Sequence, residues 1–193
     1  MNNWVHLCID MQRMFSEDTP WHVTWMKRVV DEVLEVSRYH RERTIFTRFV
    51  PPRHPSDMPG MWQTYYEKWH EMTLPVLAPG MVDLIPELRS LVPPARVFDK
   101  STYSPWTSGH LHPLLDQEEV TALVITGGET DMCVLATVLG AIDLGYKVIL
   151  LRDAVCSGAD DTHDASLELL ASRFSVQVEV LTTEEFLRRS SPI

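Results

Sequence analysis

The chain has few cysteines and no long apolar run, and both absences narrow its class. Its 193 residues include three cysteines without a close CxxC pair, which is more typical of a reducing compartment than of a disulfide framework. No apolar run approaches the roughly eighteen residues that a membrane span needs, and no secretion leader is apparent before the first apolar run. These features predict a cytoplasmic protein that does not insert into a membrane.

Positive charge is also scarce. Lys and Arg total 17 against 27 Asp and Glu, a formal net charge of −10, so the chain as a whole repels nucleic acid and anionic lipid. We therefore expect a small-molecule partner, and neither a nucleic-acid nor a membrane partner. The length fits one domain, residues 1–193, and no repeat or linker divides it.

Short apolar runs alternate with amphipathic segments along the chain. The runs predict six strands, at residues 4–9, 44–50, 96–99, 122–126, 147–151 and 176–180. Of the segments between them, residues 82–91 predict a short helix and residues 131–144 a longer one. Between the second and third strands, residues 53–81 are rich in Pro, His, Trp and Tyr, which predicts an elaborated loop with a short helix. The alternation indicates an α/β fold, a doubly wound, Rossmann-like, three-layer α/β/α domain. We expect its mainly parallel six-stranded sheet to have the order 3-2-1-4-5-6.

Three reactive side chains follow strands of this predicted sheet. Asp10 follows the first strand, Lys100 the third, and Cys133 lies where a polar turn after the fourth strand restarts as a helix. The carboxyl ends of parallel strands share one edge, so these side chains are expected to converge. A helix N-terminus and a nearby lysine would favour a Cys133 thiolate, and Asp10 could hold the lysine and carry protons.

Each of these residues also has a simpler structural interpretation. Asp10 could cap a turn, Lys100 could be solvated, and Cys133 could be a small buried hydrophobe. The joint placement of the three residues, rather than any one of them, favours the chemical hypothesis.

Three blocks of the sequence resemble the isochorismatase-like cysteine hydrolases, the superfamily of nicotinamidases and related amidases. They are CIDMQ at residues 8–12 with Phe15, FDKSTYS at residues 98–104, and TGGETDMCV at residues 126–134 with AVCS at residues 154–157. The resemblance implies a catalytic triad of Asp10, Lys100 and Cys133. It also implies a cis peptide between Gly128 and Glu129, and an oxyanion hole formed by the main-chain N–H groups of Glu129 and Cys133.

The resemblance further implies hydrolysis of a small-molecule amide, imide or ureide bond through a thioester on Cys133. Additional residues are candidates for binding the substrate. They are Gln12, Phe15, Trp21, Arg48, Trp62 and Tyr103. Arg48 could bind a substrate carboxylate, with a solvated or salt-bridged arginine as the alternative. Relatives of this kind commonly form dimers or tetramers, and the aromatic content of residues 61–69 is taken as a sign of a homo-oligomer interface.

No metal or cofactor is predicted. Nicotinamidases carry an Asp-x-His metal motif after the second strand, where this chain has Thr47-Arg48-Phe49. His54, His70 and the His110-Leu111-His112 segment keep a metal as an alternative.

Two other functions remain open at this stage. One is an isochorismatase-type vinyl ether hydrolase, in which Cys133 is not essential. The other is a non-catalytic small-molecule-binding module. The second is disfavoured because the chain has neither a GxGxxG nor a GxxxxGK[ST] motif.

Overall fold

A six-stranded parallel sheet is the centre of the computed structural model, which describes residues 3–190. Its strands are β1 (Trp4–Ile9), β2 (Thr44–Phe49), β3 (Arg96–Lys100), β4 (Ala122–Gly128), β5 (Lys147–Cys156) and β6 (Val178–Leu181). The spatial order is β3-β2-β1-β4-β5-β6 and all neighbouring pairs are parallel. The predicted α/β fold and strand order are confirmed. The ends of the predicted domain, residues 1–2 and 191–193, lie outside the described residues.

Helices cover both faces of the sheet. Within residues 3–190 they are α1 (Arg13–Ser16), α2 (Met26–Tyr39), α3 (Met61–Lys68), α4 (Pro86–Arg89), α5 (Leu111–Gln117), α6 (Leu135–Asp143), α7 (Asp160–Arg173) and α8 (Thr183–Ser190). Successive strand residues point to opposite faces. In β1, Cys8 packs in a core with residues of α2, α4 and α8, whereas Leu7 and Ile9 pack in a second core with residues of α5, α6 and α7. This cover on both faces is why the two central strands, β1 and β4, are buried along their whole length.

Several elements differ from the sequence-based expectation. The short helices α1 and α5 were not predicted, and only residues 86–89 of the expected helix at 82–91 are helical. The helix expected from Asp131 to Leu144 begins instead as a π-helical turn, Thr130–Val134, in which Val134 N–H donates to Glu129 O at 3.0 Å. Strand β5 continues beyond residue 151 to Cys156 because it pairs again with β4 after a register shift.

Residues 53–81 contain the expected short helix, α3, between two 3₁₀ turns. Their aromatic side chains point inward rather than outward. Tyr66 is 0% exposed, and Trp62, Tyr65 and Trp69 pack against the core on the α2 side. The premise of an exposed aromatic interface at residues 61–69 was therefore wrong, and the homo-oligomer stays a prediction. In the described part of the chain no helix has the length and apolar character to cross a membrane.

A glycine brings the ends of β1 and β4 together. Gly127 has φ +102°, and a Cβ there would lie 2.1 Å from the carbonyl oxygen of Ile9. Any other residue would clash with this backbone and adopt an unfavourable conformation. The close approach places Asp10, which follows Ile9, beside the turn that carries Cys133.

Candidate active site

Asp10, Lys100 and Cys133 meet at the carboxyl edge of the sheet and form what we term the polar cluster. Lys100 Nζ lies 2.7 Å from Asp10 Oδ2 and 3.5 Å from Cys133 Sγ. The three residues are 1%, 4% and 8% exposed. Because β2 separates β3 from β1, the long lysine side chain crosses over β2, with its ammonium 4.9 Å from the ring centre of Phe49. Three separate segments are thereby joined in one contact network.

Thr47 of β2 orients the Asp10 carboxyl group. Its hydroxyl donates to Asp10 Oδ1 at 2.6 Å and accepts from Asp10 N–H at 3.1 Å. Both residues are buried, so this bond and the ion pair with Lys100 compensate the loss of hydration at the carboxylate. The sequence analysis did not assign Thr47 a role. The sequence signal for such a role was that Thr47 is a hydroxyl residue among the apolar residues of the predicted second strand.

The turn that carries Cys133 is held by polar contacts to β5 and α7. Thr130 Oγ1 donates to Cys156 O at 3.1 Å, which leaves it to accept from His163 Nδ1 at 2.9 Å. Asp131 accepts hydrogen bonds from Ser157 Oγ at 2.6 Å and from Thr162 Oγ1. These contacts explain the two polar residues shortly before Cys133, Thr130 and Asp131, whose side chains position the turn.

The peptide bond between Gly128 and Glu129 is cis, as the resemblance implies. Gly128, Glu129 and Cys133 all line a cavity of about 330 Å³. The cavity borders the polar cluster at Cys133. Its size suits a small molecule rather than a polymer.

Aromatic rings form much of the cavity surface, and we call these residues the aromatic wall. They are Phe15, Trp21, Phe49, Tyr65, Trp69 and Tyr103. Of the predicted substrate-binding residues, Phe15, Trp21 and Tyr103 are thus part of the lining. Trp62 lies behind it, with its ring centre 4.8 Å from that of Tyr103.

Comparisons with known proteins place the chain in a family. The family model described as the isochorismatase domain matches residues 5–185. The chain belongs to the isochorismatase family. This assignment confirms the resemblance seen in the three sequence blocks.

The isochorismatase-family chain has relatives among plant and bacterial proteins. It is 30% identical over 172 residues to a probable inactive nicotinamidase of Arabidopsis thaliana, covering 86% of each chain. It is 27% identical to nicotinamidase 3 of the same plant, covering 95% of this chain and 86% of the relative. A crystal structure of a cysteine hydrolase from Pseudomonas syringae pv. phaseolicola is similar in fold, with a TM-score of 0.79, 24% identity and coverage of 97% and 92%.

Burial determines the protonation state of Cys133 in this isochorismatase-family site. Burial raises the pKa of the thiol, the Lys100 ammonium lowers it, and the Asp10 carboxylate raises it, with a net upward direction. Burial lowers the pKa of Lys100, but Asp10 and Cys133 raise it more. The Lys100–Asp10 ion pair therefore lies beside a thiol whose ionisation is opposed by burial. This direction runs against the thiolate that the helix end and the lysine would favour, because dehydration has the larger effect on the thiol pKa.

Besides Trp62, two predicted substrate-binding residues, Gln12 and Arg48, lie outside the cavity lining. The Gln12 amide nitrogen donates to Phe49 O and Val82 O, and its oxygen accepts from Phe49 N–H, all at 3.0 Å or less. Arg48 forms a bidentate pair with Asp99 and a further contact to Asp83 at 3.0 Å. Gln12 joins chain segments and Arg48 is salt-bridged, so neither is placed to bind a substrate.

The sequence analysis missed other lining residues of this isochorismatase-family cavity. Tyr65 and Trp69 come from the irregular 53–81 stretch, and His22 comes from the turn before α2. Glu129 is also a lining residue, although only its main-chain N–H was assigned a role. Within residues 3–190 no group of three or more His, Cys, Asp and Glu side chains could hold a metal ion.

Proposed function

We propose that this chain is a cysteine-dependent hydrolase of a small-molecule carbon–nitrogen bond, an amide, imide or ureide, acting through a thioester on Cys133. The polar cluster at the cavity carries the proposal, because a thiol, a carboxylate and an ammonium lie within 3.5 Å contacts in a largely dehydrated site. The family assignment and a relative named as a nicotinamidase add support for hydrolysis of this bond class. The substrate is a small molecule, and no cofactor takes part.

The first half-reaction needs a base because burial opposes ionisation of the Cys133 thiol. Asp10 suits that role, since its Oδ2 pairs with the Lys100 ammonium that also contacts Cys133 Sγ, and a hydrogen bond with Asp10 is among the causes that raise the thiol pKa. As Cys133 sulfur attacks the carbonyl carbon, its proton moves to Asp10. The main-chain N–H groups of Glu129 and Cys133 stabilise the resulting oxyanion. The carbon–nitrogen bond then breaks, and Asp10 returns the proton to the leaving nitrogen.

The second half-reaction repeats the proton transfers with water. Asp10 takes a proton from a water molecule that attacks the thioester carbonyl. When the carbon–sulfur bond breaks, the sulfur regains its proton from Asp10 and a carboxylic acid is released. Lys100 stays protonated throughout, and its charge stabilises the Asp10 carboxylate and the sulfur anion as each forms.

The decisive experiment removes the nucleophile. In a screen of small amides, imides and ureides, the unmodified chain should release ammonia or amine from at least one compound. The variant Cys133→Ala should lose that activity to background while keeping its circular dichroism spectrum and its melting temperature within a few degrees.

The matched control is Cys8→Ala, because Cys8 is also buried but packs in the core on the α2 side. Cys8→Ala should retain activity. Full turnover by Cys133→Ala would remove the thioester mechanism.

A further inference from the structure

The cavity lining, as the described residues form it, includes one acidic residue and no Lys or Arg. In the part of the chain that the structure describes, the acidic residue is Glu129, and the one imidazole in the lining is His22. The ion pair of Lys100 and Asp10 is internally neutral, and Arg48 is held by two aspartates outside the cavity. With a formal charge of −10, the whole chain adds to the attraction for cations and to the repulsion of anions.

The Glu129 carboxyl group lacks a cationic partner of its own. Gly158 N–H donates to its Oε1 at 3.3 Å, and no salt bridge to Glu129 is present among the described residues. Burial raises its pKa, the Gly158 bond lowers it, and Asp131 raises it. Burial likewise raises the pKa of Tyr103, the Tyr65 hydrogen bond lowers it, and the charges of Cys133 and Glu129 raise it, so Glu129 is electrostatically coupled to one ring of the aromatic wall. A cation bound nearby would lower the raised pKa values of both Glu129 and Tyr103.

The aromatic wall offers the other half of a cation site. Ring faces carry negative potential and attract ammonium groups, more strongly when these are alkylated and easily dehydrated. Trp21 is the centre of the wall, with Tyr65 and Phe49 at ring-centre distances of 5.8 Å and Trp69 at 6.5 Å. A carboxylate that shares a cavity with several tryptophan and tyrosine rings is suited to an organic cation. The same carboxylate repels any substrate that itself carries a carboxylate.

From these features we infer that the substrate is a cationic amide. Its ammonium or alkylammonium group lies between Glu129 and the aromatic wall, and its carbonyl carbon lies next to Cys133. The carbonyl placement rests on the proposed function, whereas the cation site does not. Glu129 then has two separate tasks, with its main chain at the oxyanion and its side chain selecting the charge of the substrate.

Three amides of matched length test the charge preference. They are 4-(trimethylammonio)butanamide, its uncharged carbon analogue 5,5-dimethylhexanamide, and the anionic monoamide of glutaric acid. Binding is measured by titration calorimetry with Cys133→Ala, which prevents turnover, and with Cys133→Ala combined with Glu129→Gln. The substitution Glu129→Gln keeps an acceptor for Gly158 N–H but removes the charge, and the melting temperature reports whether the double variant is folded.

The cation should bind at least about tenfold more tightly than the carbon analogue, with the anion weakest. Glu129→Gln should remove the preference by weakening the cation and leaving the carbon analogue within about twofold. A preference below tenfold, a preference that survives Glu129→Gln, or binding of none of the three amides would overturn the inference.

Ammonia release by the unmodified chain separates this inference from the proposed function. Equal release from the cationic and uncharged amides would leave the hydrolase proposal standing and reject the cation site. Selective cation binding without any ammonia release would leave the cation site standing and reject the hydrolase proposal.

Discussion

The polar cluster and the aromatic wall border the same cavity but are built in different ways. Strand ends and one turn position the cluster, which depends on polar contacts of 2.6–3.5 Å. The wall comes mostly from loops and short helices, and its rings lie 5.8–6.5 Å apart, within the usual range for packed aromatic pairs. The cluster, fixed by strand ends, therefore suits bond cleavage, and the wall, built mostly on loops, suits substrate choice.

The largest effect should follow from breaking the cluster at Asp10. Asp10→Asn removes the proposed base, so kcat should fall by about a thousandfold or more. It also leaves the Lys100 ammonium buried without its counter-ion, which should lower the free energy of unfolding by about 3–5 kcal/mol. Ammonia release and urea denaturation measure the two consequences.

A double variant shows whether the cluster acts as one unit. Lys100→Met should be comparably destabilising, since it leaves the Asp10 carboxylate unpaired. Asp10→Asn combined with Lys100→Met should be about 2 kcal/mol more stable than the sum of the single effects predicts. Additive losses would mean that the 2.7 Å ion pair contributes no coupling.

A smaller effect is expected at Thr47, which contacts the cluster through Asp10 alone. Thr47→Val keeps the shape and removes the bond to Oδ1, so kcat should fall by about tenfold with KM nearly unchanged. Steady-state kinetics check this. Thr47→Ser retains the hydroxyl and is the matched control, and an equal loss of kcat in both variants would show that packing, not the hydrogen bond, positions Asp10.

Wall variants should change substrate binding more than chemistry. Trp69→Leu removes apolar contact area from the cavity, so KM should rise about fivefold while kcat stays within about twofold. The same kinetic measurements separate the two constants. A loss confined to kcat would contradict the division of the site into a reactive region and a binding region.

Outside the cavity, the effect on activity should be smallest, and the change concerns acid stability at His6 on the strand that Asp10 follows. Burial lowers the pKa of His6 from 6.5 to about 3, so the folded chain keeps this imidazole neutral between Thr44 and Thr126. A lowered pKa in the folded state means that stability is present above the unfolded value and is lost as pH falls below it. His6 should cost about 2 kcal/mol between roughly pH 7 and pH 5. Urea denaturation across this range should show a flatter pH dependence for His6→Asn, and an unchanged slope would contradict the assignment.

The strands and the polar cluster could be predicted from the sequence because their signals are local. Each strand is an apolar run, and Asp10 and Lys100 stand at the ends of two such runs. The aromatic wall could be predicted only in part. Phe15 and Tyr103 lie within recognisable motifs, whereas Tyr65 and Trp69 belong to an irregular stretch whose path depends on contacts with distant residues such as Trp21.

Sequence alone determined the fold, the strand order and which reactive residues share one edge, because parallel strands repeat a simple geometric rule. Tertiary structure alone decided that Arg48 pairs with Asp83 and Asp99 and that burial raises the pKa of the Cys133 thiol. These outcomes depend on burial and on neighbours from remote segments. A charge or a thiol has no definite energy until those neighbours replace its water.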